Sequence, residues 1–229
     1  MEACRRTDSG KFLLRRPRAP INRLAPTVFL LFAGHAVCQQ VAPAANGERA
    51  LDRFLDDVSS LTADFRQELW TADQRLLETA TGTLSLKRPN RFLWHYVEPI
   101  EQSVVADGKE LWIYDVELAQ VTVTPLDSSA SSPAMLLSGD RAVRDGFDVV
   151  RSFSVDGLEW VELKPKLDGT DFTSVRIGFK DSAPERVELV DGLDQVTRIE
   201  LSGVVVNPDL GDAVFDFEPP PGVDVIGGG

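Results

Sequence analysis

Residues Gly82 to Asp115 read GTLSLKRPNRFLWHYVEPIEQSVVADGKELWIYD. Leu84 and Leu86 alternate with Thr83, Ser85 and Lys87. Phe92, Trp94 and Tyr96 share one strand face, and Trp112 and Tyr114 share another, because side chains two apart on a strand point the same way. Pro89 pushes Arg88 into an extended conformation and ends the first strand. Asp107-Gly108 is a two-residue hairpin signal. The block is a set of consecutive antiparallel strands carrying large apolar surfaces.

The same alternation extends in both directions. Upstream, Leu61, Ala63, Phe65 and Leu69 alternate with polar residues, with a turn at 71–74. Before that, Leu51, Phe54, Leu55 and Val58 recur at helical spacing, with Asn46 as a cap. Downstream, strands are expected at about 120–124, 149–155, 158–164, 174–180, 186–190 and 195–201. Asp156-Gly157, Ala183-Pro184 and Asp191-Gly192 supply the turns. Phe215-Asp216-Phe217 reads as a last short strand, after which Pro219 to Gly222 ends the order. Between 125 and 146 the pattern breaks. Ser132-Pro133 starts a short apolar helix through Ala134, Met135, Leu136 and Leu137, stopped at Gly139, and Asp140 caps a second turn. An insertion of this kind reads as a lid or plug. A run of about ten strands with so little helix must close into a barrel or curl beneath its helices.

The chain has 229 residues and a formal net charge of −12. Arg5, Arg6, Lys11, Arg15, Arg16, Arg18 and Arg23 precede an apolar core, Val28 to Ala33, and then small residues. This is the order of a cleaved export signal, and the core is shorter than the roughly 20 residues that span a bilayer. Cleavage fits after Cys38 or after Ala44. The long basic region also fits a start codon downstream of Met1. The remaining chain, 46–226, reads as one domain. It is more acidic still, which argues against nucleic acid and anionic lipid surfaces as partners. Cys4 and Cys38 both lie in the signal, so the mature chain has no thiol for a disulfide, a metal or catalysis. His35 and Val37 do not fit a lipidation box before Cys38. His95 alternates out of phase with Trp94 and Tyr96 and reads as a solvent-side histidine. Neither a nucleophile elbow nor a phosphate-binding glycine loop is present. No cofactor, metal or catalytic residue is expected.

Three features have two readings each. The Phe92, Trp94 and Tyr96 ladder is either core or the wall of an apolar groove, and Met135, Leu136 and Leu137 are either core or a movable plug. Arg88 is either a surface arginine or a latch whose five donors hold lid carbonyls.

Several of these residues carry a resemblance. Gly82, Leu84, Leu86, Lys87-Arg88-Pro89, Phe92-x-Trp94-x-Tyr96, Pro99 and Asp107-Gly108-x-x-Leu111-Trp112-x-Tyr114 resemble the signature of the bacterial outer-membrane lipoprotein carrier family. So do Phe65-x-Gln67, Pro133-x-x-Leu136-Leu137 and the ending Phe215 to Val223, which has one extra residue, Pro221. The resemblance implies a mainly β, α+β fold: an incomplete antiparallel β-barrel, or curled sheet. An N-terminal amphipathic helix and short lid helices would cover it and enclose an apolar cavity. It implies a soluble, monomeric periplasmic shuttle for acylated outer-membrane lipoproteins. An inner-membrane ATP-driven release complex would load it and an outer-membrane acceptor lipoprotein would unload it. It places Phe92 at the lipid cavity and Arg88 at the lid latch, and the strand faces and the insertion add Leu84, Leu86, Trp94, Tyr96, Trp112, Met135 and Leu136 as further cavity candidates. The same half-barrel serves envelope-stress sensors and small-lipid binders, which are the alternative.

Overall fold

The computed structural model describes residues 46–126, 137–139, 145–166 and 170–227. The export signal, Met135, Leu136 and the turn at Asp140 lie outside them. Among the described residues a helix, α1 (Asn46–Asp57), precedes twelve strands: β1 (Ser60–Trp70), β2 (Leu76–Lys87), β3 (Arg91–Glu98), β4 (Gln102–Asp107), β5 (Glu110–Asp115), β6 (Gln120–Pro125), β7 (Phe147–Val155), β8 (Leu158–Pro165), β9 (Phe172–Lys180), β10 (Ala183–Asp191), β11 (Val196–Val206) and β12 (Asp224–Gly227). The positions expected from alternation hold to within a few residues at each end.

The strands form one sheet in the order β12-β6-β5-β4-β3-β2-β1-β11-β10-β9-β8-β7. Neighbours are antiparallel except β12, which adds to β6 in parallel. The first strand meets a late one, with Phe65 opposite Leu201, so the sheet is built from two runs of hairpins joined at β1–β11. The outermost strands β12 and β7 do not pair with each other, and the sheet is open and curled rather than a closed barrel.

One face carries the main core. Paired residues share a face, so the register gives rows across β1–β5. Leu61, Leu86, Phe92, Ala106 and Leu111 form one row; Ala63, Leu84, Trp94, Val104 and Ile113 form the next. On the other run, Ile199, Val187, Ile177 and Val161 continue the core. Here α1 packs against β7, β8 and β9 through Ala50, Leu51, Phe54 and Leu55. Its first turn comes so close that a Cβ on Gly47 would lie 2.0 Å from the Trp160 carbonyl oxygen, which leaves only glycine there.

The opposite, outer face is finished in two ways. Across β7–β11 it carries alternating charge. Arg151 pairs with Glu162 at 2.6 Å, Glu162 with Arg176 at 3.4 Å, Arg176 with Glu188 at 3.4 Å and Glu188 with Arg198 at 3.6 Å. Partial burial pushes the Glu162 carboxyl up, but hydrogen bonds and charge from Arg151 and Arg176 outweigh it and hold the group below its usual range. Across β4–β6, Val105, Val121 and Val123 are buried on this outer face beside Trp112 and Tyr114. The C-terminal segment covers that patch. Phe217 packs on Trp112 and Tyr114, with ring centroids 5.7 and 5.9 Å apart, and Phe215 is 1% exposed. Asp212 ties the segment to Lys87 at 2.6 Å and Arg91 at 3.2 Å.

Three expectations are corrected here. Phe215 to Phe217 is not a strand: a 3-10 turn, Asp212–Val214, leads into it, Phe215 is buried, and Phe217 packs its ring on Trp112 and Tyr114. The last strand is β12, beyond the proline run that was expected to end the order. Trp112 does not share the face of Phe92, Trp94 and Tyr96. It pairs with Val105, which pairs with Leu93, and so points to the outer face, under the C-terminal segment.

Candidate functional site

The inner surface of β1–β5 is where the sequence-derived residues converge. Leu84, Leu86 and Phe92 are 1% exposed or less, and Trp94 is 3% exposed. Gly82 makes this packing possible. A Cβ there would meet the His95 carbonyl oxygen at 1.9 Å and the Phe65 ring at 2.9 Å. The space it leaves is filled by Phe65, whose ring lies 5.0 Å from Trp94 and 5.1 Å, edge-on, from Tyr96. Aromatic neighbours at these separations stabilise beyond their buried area.

Polarity changes along β3. Beyond Trp94 the next row holds Phe65, Gly82, Tyr96, Gln102 and Asp115. The Tyr96 hydroxyl donates to Gln67 Oε1 at 3.2 Å. Burial pushes the Tyr96 phenol up to about 12, with the Gln67 hydrogen bond opposing and the nearby Glu78 charge adding to the rise. A pocket of about 240 Å³ opens at this end, lined among others by Gln67, Glu78, Tyr96, Ile100, Gln102 and Asp115.

At the other end of the same face stands Arg88. Its Nε donates to the Val58 carbonyl at 2.7 Å, just past the end of α1, and Nη1 donates to the Gly139 carbonyl. The guanidinium carbon lies 4.6 Å from the centre of the Phe54 ring. Its backbone N–H donates to Ser59 O at 2.8 Å, and the Asn90 N–H donates to Ser138 O at 3.1 Å. The described part of the insertion, 137–139, is therefore fastened to the β2–β3 turn by a side chain and by the backbone. Leu137 is 1% exposed within the main core. Met135 and Leu136 lie outside the described residues.

His95 faces outward, as its parity suggested, with Nδ1 3.0 Å from Ser103 Oγ. Among the described residues no group of three His, Cys, Asp or Glu side chains could hold a metal ion. No helix among them is long and apolar enough to cross a membrane. Sequence reasoning passed over Leu61, Ala63, Val104 and Ile113 as part of this surface, although their alternation was visible. The partner strands that place them opposite the ladder were not. It also passed over the Val58 and Gly139 carbonyls, because a backbone acceptor leaves no mark on residue type.

Comparison with known proteins bears directly on this surface. The model of the family described as outer membrane lipoprotein carrier protein LolA matches residues 56–218, which include every described residue of the inner face of β1–β5. The chain belongs to the outer-membrane lipoprotein carrier family. Curated members resemble it over nearly their whole length. The outer-membrane lipoprotein carrier protein of Nitrosospira multiformis is 40% identical over 184 residues, covering 80% of this chain and 89% of the relative. That of Bordetella pertussis is 37% identical over 205 residues, covering 89% and 97%. That of Halorhodospira halophila is 42% identical over 183 residues, covering 77% and 84%. Among solved structures, an uncharacterized conserved protein from Thermus thermophilus superposes with a TM-score of 0.51 at 14% identity, over 78% of this chain and 97% of its own. That likeness concerns the fold alone. Within the family frame, Arg88 and the Phe92–Trp94–Tyr96 ladder lie on the matched stretch.

Proposed function

We propose that this protein is a soluble, monomeric periplasmic carrier of acylated lipoproteins. It takes them from an ATP-driven release complex in the inner membrane, shields their acyl chains, and passes them to an acceptor lipoprotein in the outer membrane. It performs no bond-making or bond-breaking step. The observation that carries this reading is the apolar inner face of an open sheet, closed at one end by residues 137–139 held to Arg88. In the carrier state, Leu84, Leu86, Phe92 and Trp94 line the acyl cavity, Tyr96 stands at its polar end, and Met135 and Leu136 belong to the lid.

The physics requires such a surface and also limits it. Each buried methylene is worth about 0.8 kcal/mol, so acyl chains do not cross water unshielded. A shuttle must also let go. Here Leu137 already occupies the core, so cargo entry has to displace lid residues. The self-packing of the closed state then competes with cargo and keeps net binding modest.

The test is a release assay. Spheroplasts carrying a labelled outer-membrane lipoprotein are incubated with the purified mature protein. A soluble, energy-dependent, one-to-one complex is expected. An intact fold with no released lipoprotein would overturn the reading and turn attention to co-purifying lipid.

A further inference from the structure

The pocket at the Tyr96 end of the inner face differs from the rest of it. Phe92, Trp94 and Tyr96 lie in line on β3, and hydrogen-bonding capacity rises along that line. Tyr96 uses its hydroxyl on Gln67 Oε1, which turns the Gln67 amide NH₂ to other acceptors, and Gln102 brings a second amide. Glu78 and Asp115 place two carboxylates in the same lining. One residue pair further in, Trp94 is 3% exposed, and its indole N–H has no hydrogen-bond partner among the described residues. A buried donor without an acceptor is costly and rare in native proteins.

An acylated cysteine has a matching asymmetry. Its ester carbonyls cluster at one end, on a glyceryl group that carries no charge, and its hydrocarbon lies beyond. A phospholipid or a fatty acid carries an anion at that same end. Two carboxylates in the pocket repel an anion and leave a neutral ester untouched.

We infer that the Gln67–Tyr96–Gln102 pocket receives the ester-bearing glyceryl end of the cargo; the Trp94 indole N–H, buried one row behind the pocket lining here, is uncovered when the inner face opens and then donates to an acyl carbonyl, with the chains running on over Phe92. This rests on the carrier reading and adds a selection step to it: the pocket sorts neutral, ester-linked acyl chains from the anionic lipids that surround them in a membrane. A site that hydrogen-bonds a polar group discriminates strongly against the analogue that lacks it.

The experiment uses the mature protein and three water-soluble probes with equal eight-carbon chains: a cysteine peptide bearing an S-linked dioctanoyl glyceryl diester, its diether analogue, and dioctanoyl phosphatidylglycerol. Each displaces a fluorescent apolar dye from the protein. The diester is expected to bind about tenfold more tightly than the diether, as one hydrogen bond to a buried donor allows. Trp94→Phe keeps a ring and should erase that difference. Glu78→Gln combined with Asp115→Asn should raise phosphatidylglycerol binding several-fold relative to the diester, and an unchanged ratio between the two would overturn the charge selection. Melting curves check that both variants are folded. Equal affinity for diester and diether in the unaltered protein, or a diester preference untouched by Trp94→Phe, would overturn the inference and leave the carrier reading standing. Failure of every probe to displace the dye would overturn both.

Discussion

Arg88 joins three things with one side chain: the carbonyl that follows α1, the carbonyl of Gly139 and the ring of Phe54. A hydrogen bond from a charged donor contributes about 1.5–3 kcal/mol net. On the proposed latch role, losing the bond to Gly139 shifts the balance between closed and open lid about tenfold or more toward open. Arg88→Leu should therefore bind cargo more tightly and hand it on poorly, with Arg88→Lys between the two. Measuring complex formation and transfer to the acceptor separately resolves this, and normal transfer by Arg88→Leu would remove the latch role. Asp107 shows a different use of a single residue. Partial burial pushes its carboxyl up, but the backbone N–H groups of Glu110 and Lys109 and the Trp112 indole outweigh that and hold it below its ordinary range. Glu162 is held low as well. A depressed carboxyl contributes stability that is present above its unfolded pKa, about 4, and is lost as pH falls through the folded value. Asp107→Asn and Glu162→Gln should each lower the melting temperature at neutral pH. In acid the gap to the unaltered protein should close.

At the level of elements, the C-terminal segment is the part whose position the sequence concealed. Its Phe-x-Phe spacing is legible as period two, and period two ordinarily means a paired strand. Nothing in residue type distinguishes a strand in a ladder from a chain laid across a sheet with a ring facing down. Trp112 was misplaced for a related reason. Its own alternation is plain, but which face it shares with Trp94 depends on how β3, β4 and β5 are registered, and a one-residue change of register flips the whole strand. By contrast, α1, the strands and the apolar rows were legible because burial on one side of a sheet or helix imposes a period on the residues themselves. Arg88 was legible as a candidate because Pro89 ends the strand beside it, though its acceptors were not. Phe215→Ala should cost about 3–5 kcal/mol, as truncation of a buried phenylalanine does. Because Phe215 lies outside the main core cluster, transfer per folded molecule should stay unchanged. Chemical denaturation and the release assay give the two numbers, and a transfer defect in fully folded Phe215→Ala would show that the segment reaches the cargo.

Over the whole molecule, the four tryptophans divide by location. Trp94 stands on the inner face, Trp112 lies under the C-terminal segment, Trp160 packs against Phe153 at 6.0 Å, and Trp70 sits beneath Arg198. A version keeping only Trp94, the others replaced by Phe, should change emission when acyl chains bind. A version keeping only Trp112 should not. Equal responses from the two would mean that the sheet deforms as a body or that cargo binds elsewhere.

The patch beneath Phe217 has a bearing on how a carrier stays folded between passengers. Ordinary globular domains rest on one filled interior, and a vacancy there undermines the whole. Here the strands that carry Leu84, Phe92 and Trp94 on one face are part of a sheet also held from behind, by buried valines and by Phe217 over Trp112 and Tyr114. Such a wall has its own foundation. It can stand through the return journey, unladen, without borrowing strength from what it carried.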